Sequence, residues 1–368
     1  MSRGIGQILT AGAHGTLARF RARAYAKCYV RQILALPLLL NSVASSRVAR
    51  PHLGPVGVAP VVAGSRMTTL PAQIIALPCW HGTPQGAPLT GGLSNEIWKV
   101  TDAAGQHVVR FGKDYPFHHV NRASEAQVSR AAHAAGFAPA AGFAPAVEYV
   151  APGVLVTAFV TGRTLTAADL RDDPARVGEL LCNFHSQMPA HITGQATLFW
   201  VFHVIRDYAR TLSLGHSRYV AALPYYLALS QILEAAQIPL PLIFGHHDLL
   251  PANLLDDGHR LWLIDYEYAG FSTPMFDLAG VAANAGMDAG QSQTLLHSYF
   301  RAAPTPALHQ SFAAMQCAAL LREAMWAMVS EIHLNAPGVD YGTYADENIV
   351  KLNAALAAYQ STYGTLTP

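Results

Sequence analysis

From about Leu70 onward, the chain consists of short apolar runs that glycine and proline interrupt. Runs rich in β-branched and aromatic residues favour strands, whereas runs of strong helix formers favour helices. The first part of the pattern therefore predicts two strands around a glycine turn in 89–100, a strand in 107–112, a helix in 121–136 and a strand in 153–160.

Beyond Thr161 the pattern becomes mainly helical. The segment 172–188 begins with Asp and Pro, which are typical of a helix start, and 310–334 predicts a second, long helix. Between them, the residues from Asn253 to Tyr268 predict a β-hairpin with its turn at 256–259. We therefore expect an α+β chain with a small β-rich lobe at 67–160 and a larger, mainly helical lobe at 161–368.

The composition indicates a folded chain that does not bind nucleic acid. Of the 368 residues, 51% are hydrophobic and 13% are charged, which suits one large domain or two lobes. From Met67 onward there are 15 basic and 23 acidic residues, so this part has a net charge of −8. Because phosphate binding needs a basic surface, the acidic body argues against nucleic acid as the main partner and is compatible with a cationic ligand.

The first 66 residues differ from the rest, since they are rich in Ala, Gly, Arg and Ser and contain no Asp or Glu. An organelle-targeting segment and a secretory signal are both open interpretations. We favour a third, in which 1–66 is a disordered or non-native extension and the folded part starts at Met67. N-terminal peptide mapping of the natural protein would distinguish the three.

The cysteines and the apolar runs indicate the cellular location of the protein. The four cysteines are scattered and form no CxxC pair, so we expect reduced thiols in a cytoplasmic protein. The apolar run Ile33–Leu40 is far shorter than the roughly 20 residues that span a bilayer, so no membrane span is predicted. The oligomeric state stays open.

The stretch "HHDLLPANLLDDGHRLWLIDYEY" carries the candidate chemistry. Its spacing suits phosphoryl transfer to a hydroxyl, with Asp248 orienting the acceptor hydroxyl and taking its proton. An amide and a second carboxylate, Asn253 and Asp265, can hold Mg²⁺, which prefers oxygen ligands. His246 is expected to orient the catalytic loop, and no role is assigned to His247. A zinc site formed by His246, His247 and Asp248 is disfavoured because adjacent residues rarely point at one ion.

This stretch resembles the catalytic loop and magnesium-binding strand of the aminoglycoside phosphotransferase and choline/ethanolamine kinase superfamily. The resemblance extends from about Leu89 to about Tyr359 and implies a protein-kinase-like, two-lobed fold with ATP and Mg²⁺ as cofactors. It places the nucleotide loop at Leu93, Ser94 and Asn95 in "LTGGLSNEIWKV" and a supporting aspartate, Asp277, in "TPMFDLAG".

The same resemblance assigns further ATP-binding residues in the small lobe. Arg110 stands where protein kinases have a phosphate-contacting lysine, and arginine there is common in the choline kinase branch. Arginine can bind phosphate in a bidentate way. Glu125 would be its ion-pair partner, and the hinge near Phe159 and Val160 would bond the adenine edge.

The end of the chain resembles the acceptor-binding region of bacterial choline kinase-like proteins. Trp326, Tyr344 and Tyr268 match aromatic positions that surround a quaternary ammonium, which aromatic faces attract through cation–π contacts. Glu323 lies one turn before Trp326 and stands where some choline kinases have a second tryptophan. Asn284 stands where some have an acidic residue, a charge that Glu323 could replace.

The resemblance thus predicts an ATP- and Mg-dependent kinase that phosphorylates the hydroxyl of a small cationic amino alcohol, with choline as the favoured acceptor. Ethanolamine, thiamine and an aminoglycoside are alternative acceptors. An alternative of another class is a catalytically silent nucleotide-binding module, against which the combination of Asp248, Asn253 and Asp265 argues.

Overall fold

The computed structural model describes residues 70–89, 96–135, 142–334, 336 and 338–365. The predicted extension 1–66 and the predicted nucleotide-loop residues Leu93, Ser94 and Asn95 lie outside the described residues. The division into lobes at 67–160 and 161–368 stays a prediction.

An antiparallel sheet of five strands in the order β1-β2-β3-β5-β4 forms the first part of the described chain. Its register places Trp98, Val109 and Val156 side by side, and Val109 and Val156 are fully buried. Because side chains alternate along a strand, Arg110 points to the opposite side from Val109. The elements here are α1 (Ala72–Ile75), β1 (Gln85–Leu89), β2 (Glu96–Thr101), β3 (Gln106–Phe111), α2 (Arg122–Ala134), β4 (Val147–Ala151) and β5 (Val154–Ala158).

Helix α2 connects the sheet region to the larger core. Asn121 caps it by accepting a hydrogen bond from the backbone N–H of Ser124. Its buried face, which includes Val128 and Ala132, belongs to the main hydrophobic core and not to the small core beneath the sheet. Helix α2 therefore holds Glu125 between the two parts of the fold.

The remainder of the described chain is mainly helical, as predicted. Its elements are β6 (Arg163–Thr164), α3 (Ala167–Asp172), α4 (Pro174–His191), α5 (Val201–Leu214), α6 (Leu223–Ala235), β7 (Ile243–Gly245), β8 (Leu254–Asp256), β9 (Leu261–Leu263), β10 (Gly270–Ser272), α7 (Met275–Ala285), α8 (Ala289–Phe300), α9 (Pro306–His333) and α10 (Tyr341–Tyr363). Single 3₁₀ turns lie at Pro116–His118, Val220–Ala222 and Pro251–Asn253.

Helix α9 is the central element of the larger part. It is apolar on nearly all sides, as expected for a helix that is surrounded by others. It packs against α5, α6, α7 and α10. Among the described residues, no helix combines the length and the apolar character needed to cross a membrane.

The start of one helix, the strands of the hairpin and the positions of Asn253 and Asp265 differ from the predictions. The helix predicted from residue 172 begins at Pro174, because α3 ends at Asp172 and Asp173 caps α4 by accepting from the N–H of Arg176. The predicted hairpin is present as β8 and β9, with shorter strands than expected. Asn253 and Asp265, expected on neighbouring strands, lie just outside them, in a 3₁₀ turn and after β9.

Candidate active site

The loop between β7 and β8 holds the predicted catalytic residues. Asp248 is half-buried, and its carboxylate accepts a hydrogen bond of 3.0 Å from the side-chain amide of Asn253. The same amide nitrogen donates to the backbone carbonyl of Asp248 at 2.8 Å. Since both bonds use the nitrogen of Asn253, its carbonyl oxygen is left to face other ligands.

The carboxyl of Asp248 has a pKa well above its usual range, because burial and the nearby charge of Asp265 both disfavour ionisation. Arg322 acts in the opposite direction and lowers the pKa of Asp248. A carboxylate whose pKa is raised holds an abstracted proton more readily than an exposed one.

His246 joins the loop to the hairpin. Its Nε2 donates to the carbonyl of Ile264 at 2.9 Å, and its Nδ1 accepts from the backbone N–H of Asp248 at 3.3 Å. Burial lowers the pKa of His246, which favours the neutral ring that this pair of bonds requires. The side chain lies behind Asp248 and orients its backbone.

His247 also uses its ring to hold a neighbouring segment. Its backbone has a left-handed φ of 63°, and its Nδ1 donates to the carbonyl of Tyr268 at 3.2 Å. The ring stacks on Phe199 with centroids 4.3 Å apart. His247, to which the sequence assigned no role, thus links the catalytic loop to a predicted acceptor residue.

Asp277 bonds the backbone at the start of the loop between β7 and β8, the position where a supporting aspartate is predicted. Its carboxylate accepts from the backbone N–H groups of His246 and His247, at 2.8 and 2.7 Å, and from Nε2 of His185 at 2.8 Å. Burial opposes its ionisation, but His247 and His185 outweigh this and lower the pKa of Asp277 well below its usual range.

The residues predicted to bind the nucleotide form a network of ion pairs. Arg110 is buried and bonds Glu125 on α2 and, at 2.7 Å, Asp265 after β9. Arg122 bonds Glu125 at 2.7 Å and Glu267 at 2.8 Å. Glu267 lies two residues after Asp265 and was not predicted from the sequence to belong to the site. Its pKa is raised by burial and by the charge of Asp265.

The predicted hinge residues follow β5. Phe159 donates its backbone N–H to Gln106 at 2.8 Å, and the ammonium of Lys99 lies 3.8 Å from the centre of its ring. Val160 is the next residue and is half-buried. The two lie at the end of the strand that pairs with β3, which carries Arg110.

The four predicted acceptor residues are brought together by α9, α10 and the segment after β9. Trp326 donates its indole N–H to the hydroxyl of Tyr268 at 2.9 Å, and Tyr344 donates to Glu323 at 2.8 Å. The rings of Trp326 and Tyr344 are perpendicular, with centroids 6.4 Å apart. The charge of Glu323, followed by burial, raises the pKa of Tyr344.

Three further residues lie beside this cluster. His118 stacks on Trp326 with centroids 5.0 Å apart, and burial lowers the pKa of His118 to about 2, so its ring is neutral. Arg322 bonds Glu323 at 2.9 Å. Asn284 donates its side-chain N–H to the carbonyl of Leu249 at 3.1 Å and so braces the catalytic loop. Neither His118 nor Arg322 was predicted as an acceptor residue from the sequence.

Comparison with known proteins identifies the family. The model of the phosphotransferase enzyme family matches residues 85–314. The chain belongs to this family. The resemblance drawn from the motifs is thereby confirmed.

Individual relatives are similar over part of their length. The LicA protein of Haemophilus influenzae is 24% identical over 212 residues, which are 57% of this chain and 61% of that protein. A probable ethanolamine kinase of Arabidopsis thaliana is 25% identical over 209 residues, 52% of this chain and 53% of that protein. The chain thus spans less than two thirds of the length of each of these two relatives.

A solved structure confirms the predicted fold. A choline/ethanolamine kinase family protein from Mesorhizobium loti superposes with a TM-score of 0.62 and 29% identity, over 77% of this chain and 92% of that one. The expectation of a kinase-like, two-lobed α+β fold is therefore correct.

Proposed function

We propose that this chain transfers the γ-phosphate of ATP to the hydroxyl of a small cationic amino alcohol, with choline as the first candidate. The observation that carries the proposal is a single cavity lined by both Asp248 and Glu323. Glu323, in the wall of this cavity, accepts a hydrogen bond from Tyr344, whose ring lies beside Trp326. In this proposal, residues 67–160 bind the nucleotide and 161–368 carry the catalytic and acceptor groups.

Asp248 has the environment of a general base. It would accept the proton of the acceptor hydroxyl while that oxygen bonds the γ-phosphorus and the bond to the leaving ADP breaks. Its raised pKa favours this transfer. The amide of Asn253 fixes the orientation of the carboxylate.

The donor set near the hairpin fits Mg²⁺. The side-chain carbonyl oxygen of Asn253 and the carboxylate of Asp265 are hard oxygen ligands. The residue before Asp265, Ile264, donates its backbone N–H to the backbone carbonyl of Asn253 at 3.1 Å and so holds the two residues near each other. When bound, the ion would neutralise charge on the nucleotide phosphates. Asp265 would then bond the ion instead of Arg110, and the guanidinium of Arg110 would be available to bond a phosphate.

The remaining nucleotide contacts come from the sheet and hinge. Glu125 keeps Arg110 in place on its other side. Because Phe159 already donates its N–H to Gln106, Val160 is the residue whose amide is better suited to bond the adenine edge. The loop at Leu93, Ser94 and Asn95 would supply amides to the phosphates, as its sequence predicts.

On the acceptor side, the ammonium group would lie between Trp326, Tyr344 and the carboxylate of Glu323. Because His118 covers one face of Trp326, the cation must approach the other face or the ring of Tyr344. Each such contact contributes roughly 0.5–2 kcal/mol. Glu323 can also accept hydrogen bonds from a primary ammonium, so ethanolamine is a natural comparison.

An acceptor panel tests the proposal. The purified full chain is incubated with ATP, Mg²⁺ and, in turn, choline, ethanolamine, thiamine or kanamycin, and ADP release and the phosphorylated product are measured. We expect choline or ethanolamine to stimulate turnover most. Turnover that depends only on thiamine or kanamycin would refute the amino-alcohol assignment.

The role of Asp248 is tested by Asp248→Asn, with Asp172→Asn at the exposed end of α3 as the matched control. We expect kcat to fall by roughly 10²–10⁴-fold in Asp248→Asn only, because the amide cannot take a proton. In the unaltered chain, kcat should fall in acid at a higher pH than an ordinary aspartate would give, since the pKa of Asp248 is raised. Near-normal turnover by Asp248→Asn would show that another group is the base.

A further inference from the structure

Arg322 is a buried cation with spare hydrogen-bond donors. Its side chain is 4% exposed, and Nη1 bonds Glu323 at 2.9 Å. Its guanidinium lies 4.6 Å from the centre of the Tyr268 ring. Among the residues that the structure describes, neither Nε nor Nη2 has a hydrogen-bond partner. Unpaired buried donors on a charged group are costly, so a site that retains them is suited to a ligand that pairs with them.

The position of Arg322 is on the acceptor side of the catalytic base. The cavity that it lines lies between the catalytic loop, α7 and α9, and its wall also includes Asp248, Asn284 and Glu323. The predicted nucleotide and metal residues Arg110, Asn253 and Asp265 do not belong to this wall. Arg322, with its two spare donors, therefore lies beside the space where the acceptor is expected and apart from the predicted ATP-binding residues.

Asp248, Glu323 and Arg322 place both signs of charge in the wall of this cavity. Glu323, the carboxylate available to an ammonium group, is already paired with Arg322. A choline-like cation would thus meet a carboxylate that is already paired, and it would leave Nε and Nη2 of Arg322 without an acceptor. An acceptor with both signs of charge could bond Glu323 through its ammonium and Arg322 through its anion, so that no charge stays unpaired.

We propose that Arg322 forms an anion subsite, and that the acceptor is an amino alcohol that also carries a carboxylate. Nε and Nη2 would bind the two carboxylate oxygens side by side, which is the geometry that arginine favours. The inference rests on the proposed phosphotransferase function and narrows its substrate class. In this arrangement Arg322 determines acceptor specificity and does not contact the transferred phosphoryl group.

Matched acceptor pairs test the subsite on the unaltered chain. Serine is ethanolamine with an added carboxylate, and carnitine is β-methylcholine with an added carboxylate. With ATP and Mg²⁺, we expect the carboxylated member of at least one pair to have a kcat/KM about tenfold higher than its partner or more. If the uncarboxylated member is preferred in both pairs, the subsite is refuted while the proposed function stands. If none of the four compounds nor choline is phosphorylated, the proposed function itself fails.

Variants of Arg322 then test whether this side chain causes the preference. Arg322→Met should abolish the advantage of the carboxylated acceptors by raising their KM, so that the kcat/KM preference within each pair disappears. Arg322→Lys should retain part of the preference. Arg206→Met, which removes an exposed arginine of α5, is the matched control and should change neither.

A different result would overturn the assignment. If Arg322→Met lowers kcat equally for all acceptors with their KM values unchanged, Arg322 serves the transferred phosphoryl group or the base instead. If Arg322→Met does not fold, the comparison of the matched pairs on the unaltered chain still decides whether a carboxylate is recognised.

Discussion

Individual residues around the catalytic loop hold conformations that only their neighbours can maintain. His247 and Asp265 have left-handed φ values of 63° and 67°, which are uncommon for residues other than glycine. Asp277 accepts the backbone N–H of His247, and Arg110 bonds the side chain of Asp265. Such backbone strain persists where surrounding contacts fix it, and it is concentrated at functional sites.

Gly245 shows how tightly the start of this loop is packed. A methyl group at this position would lie 2.8 Å from the carboxylate of Asp277 and would also collide with the ring of His247. Glycine is therefore required by space and not by its backbone angles. The residue before the two histidines thus helps to decide where Asp248 lies.

Asp277→Asn should destabilise the protein and slow catalysis. One of the two carboxylate oxygens becomes an NH₂ group that faces donors, since Oδ1 accepts one backbone N–H and Oδ2 accepts another together with His185. A buried donor left unsatisfied costs about 1–3 kcal/mol. Thermal denaturation should show a lowered Tm, with kcat reduced in the folded fraction.

The matched control for this change is Asp346→Asn on the exposed surface of α10. It should leave both Tm and kcat near their original values. Equal Tm values for the two variants would show that the bonds of Asp277 do not hold the loop.

At the scale of the elements, close helix contacts position the catalytic loop indirectly. Helix α4 packs against α8 and against β7, the strand that leads into the loop. Gly178 lies at the contact with α8, where an added Cβ would be 2.6 Å from the carbonyl oxygen of Leu295 and 2.9 Å from Cβ of Ser298. The two helices can approach this closely because residue 178 has no side chain.

Gly178→Ala should therefore destabilise the protein, although alanine favours a helix by roughly 1 kcal/mol over glycine. Gly280→Ala in α7 provides the matched comparison, because a Cβ there meets no atom within 4 Å among the described residues. It should raise the free energy of unfolding by up to about 1 kcal/mol. Urea denaturation measures both, and a stabilised Gly178→Ala would show that α4 and α8 can separate without cost.

At the scale of the whole molecule, ion pairs join the sheet region to the helical part at the proposed nucleotide site. Arg110 on β3 bonds Asp265, and Arg122 on α2 bonds Glu267, so two cations of the first part contact two carboxylates after β9. A nucleotide that binds there must take over some of these bonds. Binding of ATP is thus expected to depend on the same side chains that hold the two parts together.

Arg110→Met should raise the KM for ATP by about tenfold or more. The change removes a charge-assisted contact, worth roughly 1.5–3 kcal/mol, and leaves Glu125 and Asp265 to repel the phosphates. Steady-state kinetics with varied ATP measures the effect, and Arg110→Lys should recover part of it. Arg130→Met on the exposed side of α2 is the control. A changed acceptor KM with an unchanged KM for ATP would contradict the assignment of Arg110 to the nucleotide.

Much of the fold could be predicted from local patterns. The strands β2, β3 and β5, the helices α2 and α9 and the β8–β9 hairpin follow from apolar runs, caps and turns, which are properties of short segments. The motif around Asp248 identified the family for the same reason, because its residues are close in the sequence. Strand β4 and helix α3 are among the elements that were not predicted, and the six residues of α3 are too few to show a periodic pattern.

The sequence by itself determined the α+β architecture, the family motif around Asp248 and the residue types of the proposed acceptor cluster. The tertiary structure alone decided which side chains meet: Trp326 with Tyr268, His247 with the carbonyl of Tyr268, and Arg322 with Glu323 beside Asp248. The reason is physical. Local patterns arise from backbone preferences and burial, whereas the charge and hydrogen-bonding of a site depend on residues far apart in sequence. Arg322 is adjacent to Glu323 in the chain, but its relation to the catalytic base exists only in the folded molecule.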